Sequence, residues 1–231
     1  MKNEYYGMIF DFNGVLLWDS HLHEKAWNNL SMLLRGFPFS PEEIFSHVHG
    51  RTNKYVLEYL LNRPISLQEL SSLSSQKESL YQTLCLQSKD DFQLSPGAIE
   101  LLDFLMINDI PHTIATASDG NNLRFFIKYL KLDKWFDVSK IVYDDGTFTG
   151  KLGMYIKAAD NLQLRTEQCV VIEDAKMGII AAHNAGIGKI IALGPVDKHE
   201  VLQSLEGVSL VITSLEQIPK ETLFASADRT K

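Results

Sequence analysis

Met8-Ile9-Phe10-Asp11-Phe12-Asn13-Gly14-Val15-Leu16 is the stretch that decides the fold. Its three leading apolar residues read as a short buried strand, and an acid stands directly at the strand's end. Four later runs repeat the pattern: Thr113-Ile114-Ala115, Cys169-Val170-Val171-Ile172, Ile190-Ile191-Ala192-Leu193 and Leu210-Val211-Ile212. Between them lie segments of helical period. One starts at Pro96 and carries Ile99, Leu101, Leu102, Leu105 and Met106. Another carries Met177, Ile179, Ile180, Ala182 and Ala185 and stops at Gly186, a C-cap residue. Wholly apolar strands alternating with helices imply a parallel sheet covered on both faces, an α/β fold.

Residues 20–92 break the alternation and read as helices only, over 21–34, 41–47, 53–61 and 67–86. The last is rich in serine, yet Leu67, Leu70, Leu73, Leu80 and Leu84 keep an apolar stripe that a flexible linker would lack. The layout is an α/β core interrupted after its first strand by a helical insert.

At 231 residues the chain is long enough for one or two domains. With 45% apolar and 22% charged residues it can bury a core, which excludes global disorder. The 22 basic against 29 acidic residues leave a net charge of −7 and no basic stripe, which argues against nucleic acid as a partner. No apolar run approaches the ~20 residues of a membrane span. The opening Met1-Lys2-Asn3-Glu4 and the short apolar stretch after it are unlike a signal peptide. Cys85 and Cys169 stand far apart in apolar surroundings, as buried reduced thiols of a cytoplasmic protein do. His21-x-His23 and His47-x-His49 invite a zinc reading, but residues two apart on a helix point to different sides and chelate poorly.

In such sheets ligands bind at the carboxyl ends of the strands. Four places there carry capable residues: Asp11 to Leu16, then Thr116-Ala117-Ser118-Asp119, then Lys151 after Gly150, then Glu173-Asp174. Three carboxylates converging on one point repel each other unless a cation lies among them, and an all-oxygen site suits Mg²⁺. A strand-end carboxylate can also attack phosphorus. Thr116 and the backbone N–H groups after it, leading into a helix, can hold phosphate oxygens. Lys151 would offset negative charge in the transition state.

These residues resemble the haloacid dehalogenase superfamily, in the β-phosphoglucomutase-like branch with an α-helical cap. The resemblance covers nearly the whole chain. Asp11 to Val15 matches the family's Asp-x-Asp-Gly-Thr/Val except at Asn13, and Thr116 matches its Ser/Thr. Lys151 matches its lysine, and Glu173-Asp174 its acidic pair. The resemblance implies a Rossmann-like core of residues 1–17 and 93–231 and a helical cap of 18–92. It makes Asp11 the nucleophile and a Mg²⁺ ligand, with the backbone carbonyl of Asn13, Asp174 and Glu173 as the other ligands. Thr116, Ala117 and Ser118 would hold the phosphate. From the cap, His23, Arg51 and Asn53 would read the rest of the substrate, while Trp27 reads as core. The implied activity is that of a Mg²⁺-dependent phosphatase on a small phosphorylated metabolite such as a sugar phosphate, in a cytoplasmic monomer or weak dimer.

Two departures matter. Asn13 stands where the family has its general acid/base aspartate, and an amide can donate a hydrogen bond but cannot shuttle a proton. The enzyme is therefore expected to be slowed, less so on acyl or aryl phosphates whose leaving groups need little proton help. The lysine loop also lacks the family's prolines: Gly150-Lys151 runs straight into Leu152-Gly153-Met154-Tyr155. A phosphomutase and a non-catalytic phosphate-ester-binding protein are the rival readings. Asn13 counts against the mutase, which needs its acid/base in both half-reactions.

Overall fold

The apolar run around Ile9 becomes β1 (Gly7–Phe10), third in a six-stranded parallel sheet of order β3-β2-β1-β4-β5-β6. The other strands of the sheet are β2 (His112–Asp119), β3 (Val142–Asp144), β4 (Cys169–Glu173), β5 (Lys189–Leu193) and β6 (Val208–Ile212). The expected Rossmann-like α/β core is thus observed in the computed structural model, which describes residues 5–48, 51–88 and 90–224. Residues 1–4, including Glu4, together with His49 and Gly50, lie outside the described residues. Among the described residues, no helix is long and apolar enough to cross a membrane.

The described residues fall into two units, one of residues up to 18 together with those from 94 onward, the other Asp19–Gln93. In the first, every residue of β1 and β4 is buried, as strands covered on both faces must be. Ile9, Val171 and Ile190 share one face of the sheet with Ala158, Ala159, Ile179 and Ala182 from α7 (Lys151–Asn161) and α8 (Lys176–Asn184). Small alanines let these helices lie close to the strands. The register sets Phe10 beside both Ile114 and Ile172, so β1 and β4 end within one residue of each other while β2 runs on to Asp119. The chain runs outward from β1 to β3 and then returns to β4 on β1's other side. This reversal opens the crevice in which such sheets bind ligands.

The sequence pattern misses β3. Its three residues form an edge strand whose register against β2 slips, too short to show a period. The helix expected at Pro96 is α5 (Ala98–Ile107), with Gly97 left-handed at φ +81° before it.

The second unit holds α1 (Ser20–Arg35), α2 (Pro41–Glu43), α3 (Asn53–Leu61) and α4 (Leu67–Gln87). Trp27, Leu30, Val56, Leu57 and Leu60 form its core, so Trp27 packs as the sequence suggests. Two details differ from expectation. The helix over 41–47 is one α-helical turn running into a π-helical turn, Ile44–Val48. In α4 the fully buried line is Lys77, Tyr81 and Cys85, not the leucines, and Leu67 at the helix start is 85% exposed. A tyrosine and a lysine outrank the leucines here because their polar ends find partners inside. Tyr81 donates to buried Asp19, and the Lys77 ammonium meets Glu78 at 3.0 Å and His23 Nδ1 at 2.7 Å.

Candidate active site

The first unit gathers its reactive side chains where β1, β2 and β4 end. Asp11 follows the last residue of β1, and its N–H continues the ladder by donating to Ile172 O at 3.0 Å. The backbone then folds back at once, because Gly14, Leu16 and Leu17 close a tight turn with Phe12 O and Leu17 O as acceptors. Gly14 is required twice over. Its φ of +84° lies in the left-handed region, and a Cβ there would stand 2.1 Å from Asp174 Oδ2. The turn glycine thus makes room for the acid that follows β4.

Lys151, at the first position of α7, reaches between two carboxylates, 2.5 Å from Asp11 Oδ2 and 2.7 Å from Glu173 Oε2. The missing prolines therefore do not displace the lysine. Glu173 is wholly buried. Its Oε2 also accepts from the Tyr155 hydroxyl, and its Oε1 accepts from Ala175 N–H at 3.1 Å. Asp11 has fewer donors: besides Lys151, the Phe12 N–H donates to Oδ1 at 2.8 Å.

The electrostatics follow from those partners. Burial, reinforced by the charges of Glu173 and Asp174, pushes the Asp11 carboxyl well above the usual range against the pull of Lys151. Burial also works on Glu173, but Lys151 and the hydrogen bonds outweigh it and hold that carboxyl down. The Lys151 ammonium is held charged despite its burial by the same two acids. Lys151 thus pairs with two of three acids, Asp11, Glu173 and Asp174, whose ligand oxygens lie within 4.8 Å of one another. That all-oxygen donor set, short of positive charge, fits a hard divalent cation.

Asn13 lies beside this cluster, and the Ser118 hydroxyl donates to its Oδ1 across 2.6 Å. Thr116, buried near the end of β2, accepts from Ser118 N–H at 3.1 Å and so shapes the turn leading to α6 (Gly120–Leu130). Ala117 is exposed and Ser118 half-buried. Asp11, Asn13, Thr116, Ser118, Lys151, Glu173 and Asp174 therefore converge within one unit.

His23, Arg51 and Asn53 belong to the helical unit. His23 stacks on Tyr81 with ring centres 3.9 Å apart and reaches Asp19 and Lys77. Asn53 donates to Glu78 at 3.0 Å, and the Arg51 guanidinium lies over Tyr55. His21 faces Asp91 while His23 faces Asp19, so the two rings diverge as the helical spacing requires.

The sequence reading gives Tyr155 no role, although a signal exists. Once Lys151 begins a helix, a residue four later shares its face. A lysine in a loop carries no such spacing, so the sequence pattern alone is silent about Tyr155.

Comparison with known proteins agrees with this fold. Residues 7–186 match the family model described as haloacid dehalogenase-like hydrolase. The crystal structure of a family IA, variant 3 hydrolase of that superfamily from Entamoeba histolytica is 36% identical with a TM-score of 0.87, over 94% of this chain and 96% of that one. A β-phosphoglucomutase from Clostridium difficile shares the fold, with a TM-score of 0.76 at 23% identity over 94% of each chain. The phosphorylated carbohydrates phosphatase of Thermotoga maritima is 28% identical over 79% of this chain and 82% of its own length. Hexitol phosphatase A of Escherichia coli is 28% identical over 92% of each. With the family model spanning most of its length and the acids, lysine and threonine meeting at the strand ends, this chain belongs to the haloacid dehalogenase-like hydrolases.

Proposed function

We propose that the chain is a Mg²⁺-dependent phosphatase acting on a small phosphorylated metabolite, a sugar phosphate among the candidates, through a phosphoryl group carried on Asp11. The observation that carries this reading is the Asp11 carboxylate at the end of β1, with the Lys151 ammonium 2.5 Å away and Asp174 beside it. The names of the phosphatase relatives support the substrate class.

Asp11, Asp174 and the backbone carbonyl of Asn13 would hold the Mg²⁺, with Glu173 adjacent. When bound, the cation supplies the positive charge that three clustered carboxylates lack and that the phosphoryl oxygens need. The rest falls to the chain. An Asp11 oxygen attacks phosphorus as the bond to the leaving oxygen breaks. Lys151 balances the charge that remains. Thr116, Ser118 and the N–H groups around Ala117 hold the non-bridging oxygens. Water then attacks phosphorus, and inorganic phosphate leaves with Asp11 restored.

Asn13 sets the rate. The leaving oxygen takes its proton from water, because the Asn13 amide can only donate a hydrogen bond. The loss of general acid–base help is worth roughly 10²–10⁴-fold. Acyl and aryl phosphates, with stable leaving groups, are affected least. The helical unit is proposed as the cap, residues 18–92, in which His23, Arg51 and Asn53 choose the non-phosphate part of the substrate.

The test is phosphate release from acyl, aryl and sugar phosphates with Mg²⁺ or EDTA, for the parent and for Asn13→Asp. Mg²⁺-dependent turnover, with a substitution gain confined to sugar phosphates, supports the reading. Phosphate-ester binding without turnover by either protein replaces it with the non-catalytic one.

A further inference from the structure

Tyr155 is a large, fully buried side chain, and the mechanism above gives it nothing to do. It lies four residues beyond Lys151 on the same helix, and its hydroxyl donates to the very oxygen, Glu173 Oε2, that Lys151 also contacts at 2.7 Å. That oxygen therefore serves two donors from one helical face. The other oxygen, Oε1, accepts the Ala175 N–H. Behind the carboxyl group stands Gly178, where a Cβ would fall 2.2 Å from the Glu173 carboxyl carbon. Glu173 is thus clamped by a phenol, an ammonium, a backbone amide and a helix that leaves no spare volume.

A clamped carboxylate is an anchor. Lys151 has a long stem with several rotors, and its ammonium must stay at Asp11 to balance charge there. Asp11 alone cannot keep it, because that carboxylate changes bonding and charge during turnover. Glu173 does not, so it can hold the ammonium throughout.

Resting on the phosphatase reading, we propose that Tyr155 is a positioning residue. It fixes Glu173 as the anchor of Lys151, so that Glu173 serves the lysine and the metal falls to Asp11, Asp174 and the Asn13 carbonyl. The phenol touches no reacting atom. It acts through Glu173 on the lysine that does.

Tyr155→Phe removes only the hydroxyl and keeps the ring in the apolar cluster that also holds Ala158, Ala159 and Val171. The expected result is a kcat about tenfold lower with KM within about twofold, since the bond lost was made to a charged group. Mg²⁺ affinity, measured by calorimetry on the substrate-free protein, stays within about threefold. In the double variant with Glu173→Gln, kcat is no lower than in Glu173→Gln alone, because both substitutions cut the same link. A purely structural tyrosine would lower the melting temperature and leave kcat and this coupling untouched.

Parent-like kcat in Tyr155→Phe overturns the proposal, and so does multiplicative loss in the double variant. A tenfold or greater fall in Mg²⁺ affinity also overturns it, by making Tyr155 part of the metal site. Should Tyr155→Phe fail to fold, Glu173→Gln alone decides: lost kcat with Mg²⁺ binding retained supports the anchor, and Mg²⁺ binding weakened more than a hundredfold defeats it. Absence of turnover in the parent defeats the phosphatase reading instead, a separate and recognisable outcome.

Discussion

The Ser118 hydroxyl donates to Asn13 Oδ1 across 2.6 Å, tying the turn after β1 to the end of β2. The bond engages the amide oxygen and so fixes the rotation of the amide. An aspartate would accept the same hydroxyl without rearrangement, and for that reason Asn13→Asp is a clean test of proton transfer.

Ser118→Ala should lower kcat on an aryl phosphate about fivefold, the worth of one neutral hydrogen bond of about 1 kcal/mol. The melting temperature should hardly change, because Ser118 is half-buried at a strand end. Steady-state kinetics beside a thermal melt separates the two effects. An unchanged kcat would mean that Asn13 is held by the turn alone.

Gly178→Ala reverses a familiar gain. In an exposed helix interior the change stabilises by roughly 0.5–1 kcal/mol. Here the added methyl carbon would lie 2.2 Å from the buried Glu173 carboxyl group. Overpacking of this kind costs about 1–3 kcal/mol, which at this size lowers the melting point by several degrees, at about 2–4 °C per kcal/mol. Phosphate release should fall with it, since the clash bears on the anchor of Lys151. A variant that melts at or above the parent temperature would show that α8 can shift away at no cost.

What the sequence makes legible is what has a period or a fixed place beside a strand. β1 and β4 carry unbroken apolar runs, and Asp11 and Glu173-Asp174 come directly after them, so the sheet and its acids are readable together. β3 has three residues and no period. Lys77 and Glu78 sit in a serine-rich helix and look solvated, yet Lys77 and Glu78 pair inside while Leu67 is exposed. Pairing across the fold decides those cases, and no local pattern records it. The same holds for Ser118 with Asn13, which are 105 residues apart. Tyr155 is intermediate, readable by its spacing from Lys151 only once a helix is known to start there.

Lys151→Met leaves Asp11 and Glu173 buried with no cation between them. Breaking such a buried pair costs about 3–5 kcal/mol. Asp11 already carries a raised pKa, and losing Lys151, which pulls it down, raises it further. A carboxyl group raised in the folded state stabilises below its unfolded pKa and loses that contribution as pH rises through the folded one. The variant should therefore melt lowest at alkaline pH and regain stability on acidification, and Mg²⁺ should stabilise it more than it does the parent. Melts between pH 5 and 8, with and without Mg²⁺, give the answer. A pH-independent loss that Mg²⁺ leaves untouched would remove Lys151 from the charge balance of the site.

The helical unit carries an acid whose pKa is shifted the other way. Arg35 grips Glu43 at both ends, Nη1 to Oε1 at 2.8 Å and Nη2 to Oε2 at 3.0 Å. Ser40 N–H adds a bond to Oε2 at 2.7 Å, and the Tyr59 hydroxyl one to Oε1 at 2.9 Å. Chiefly through the Arg35 hydrogen bonds, the carboxyl is pulled from the ordinary 4.5 down to about 2. The stabilisation is complete above pH 4.5 and is lost as pH falls toward 2. With the two side chains 17% and 23% exposed, solvent screening leaves about 1–2 kcal/mol of the full linkage. Glu43→Gln should lower the melting temperature at neutral pH and flatten this part of the acid limb. Melting followed by far-ultraviolet circular dichroism from pH 6 to 2 tests it, and an acid limb as steep as the parent's would assign the loss to other carboxylates.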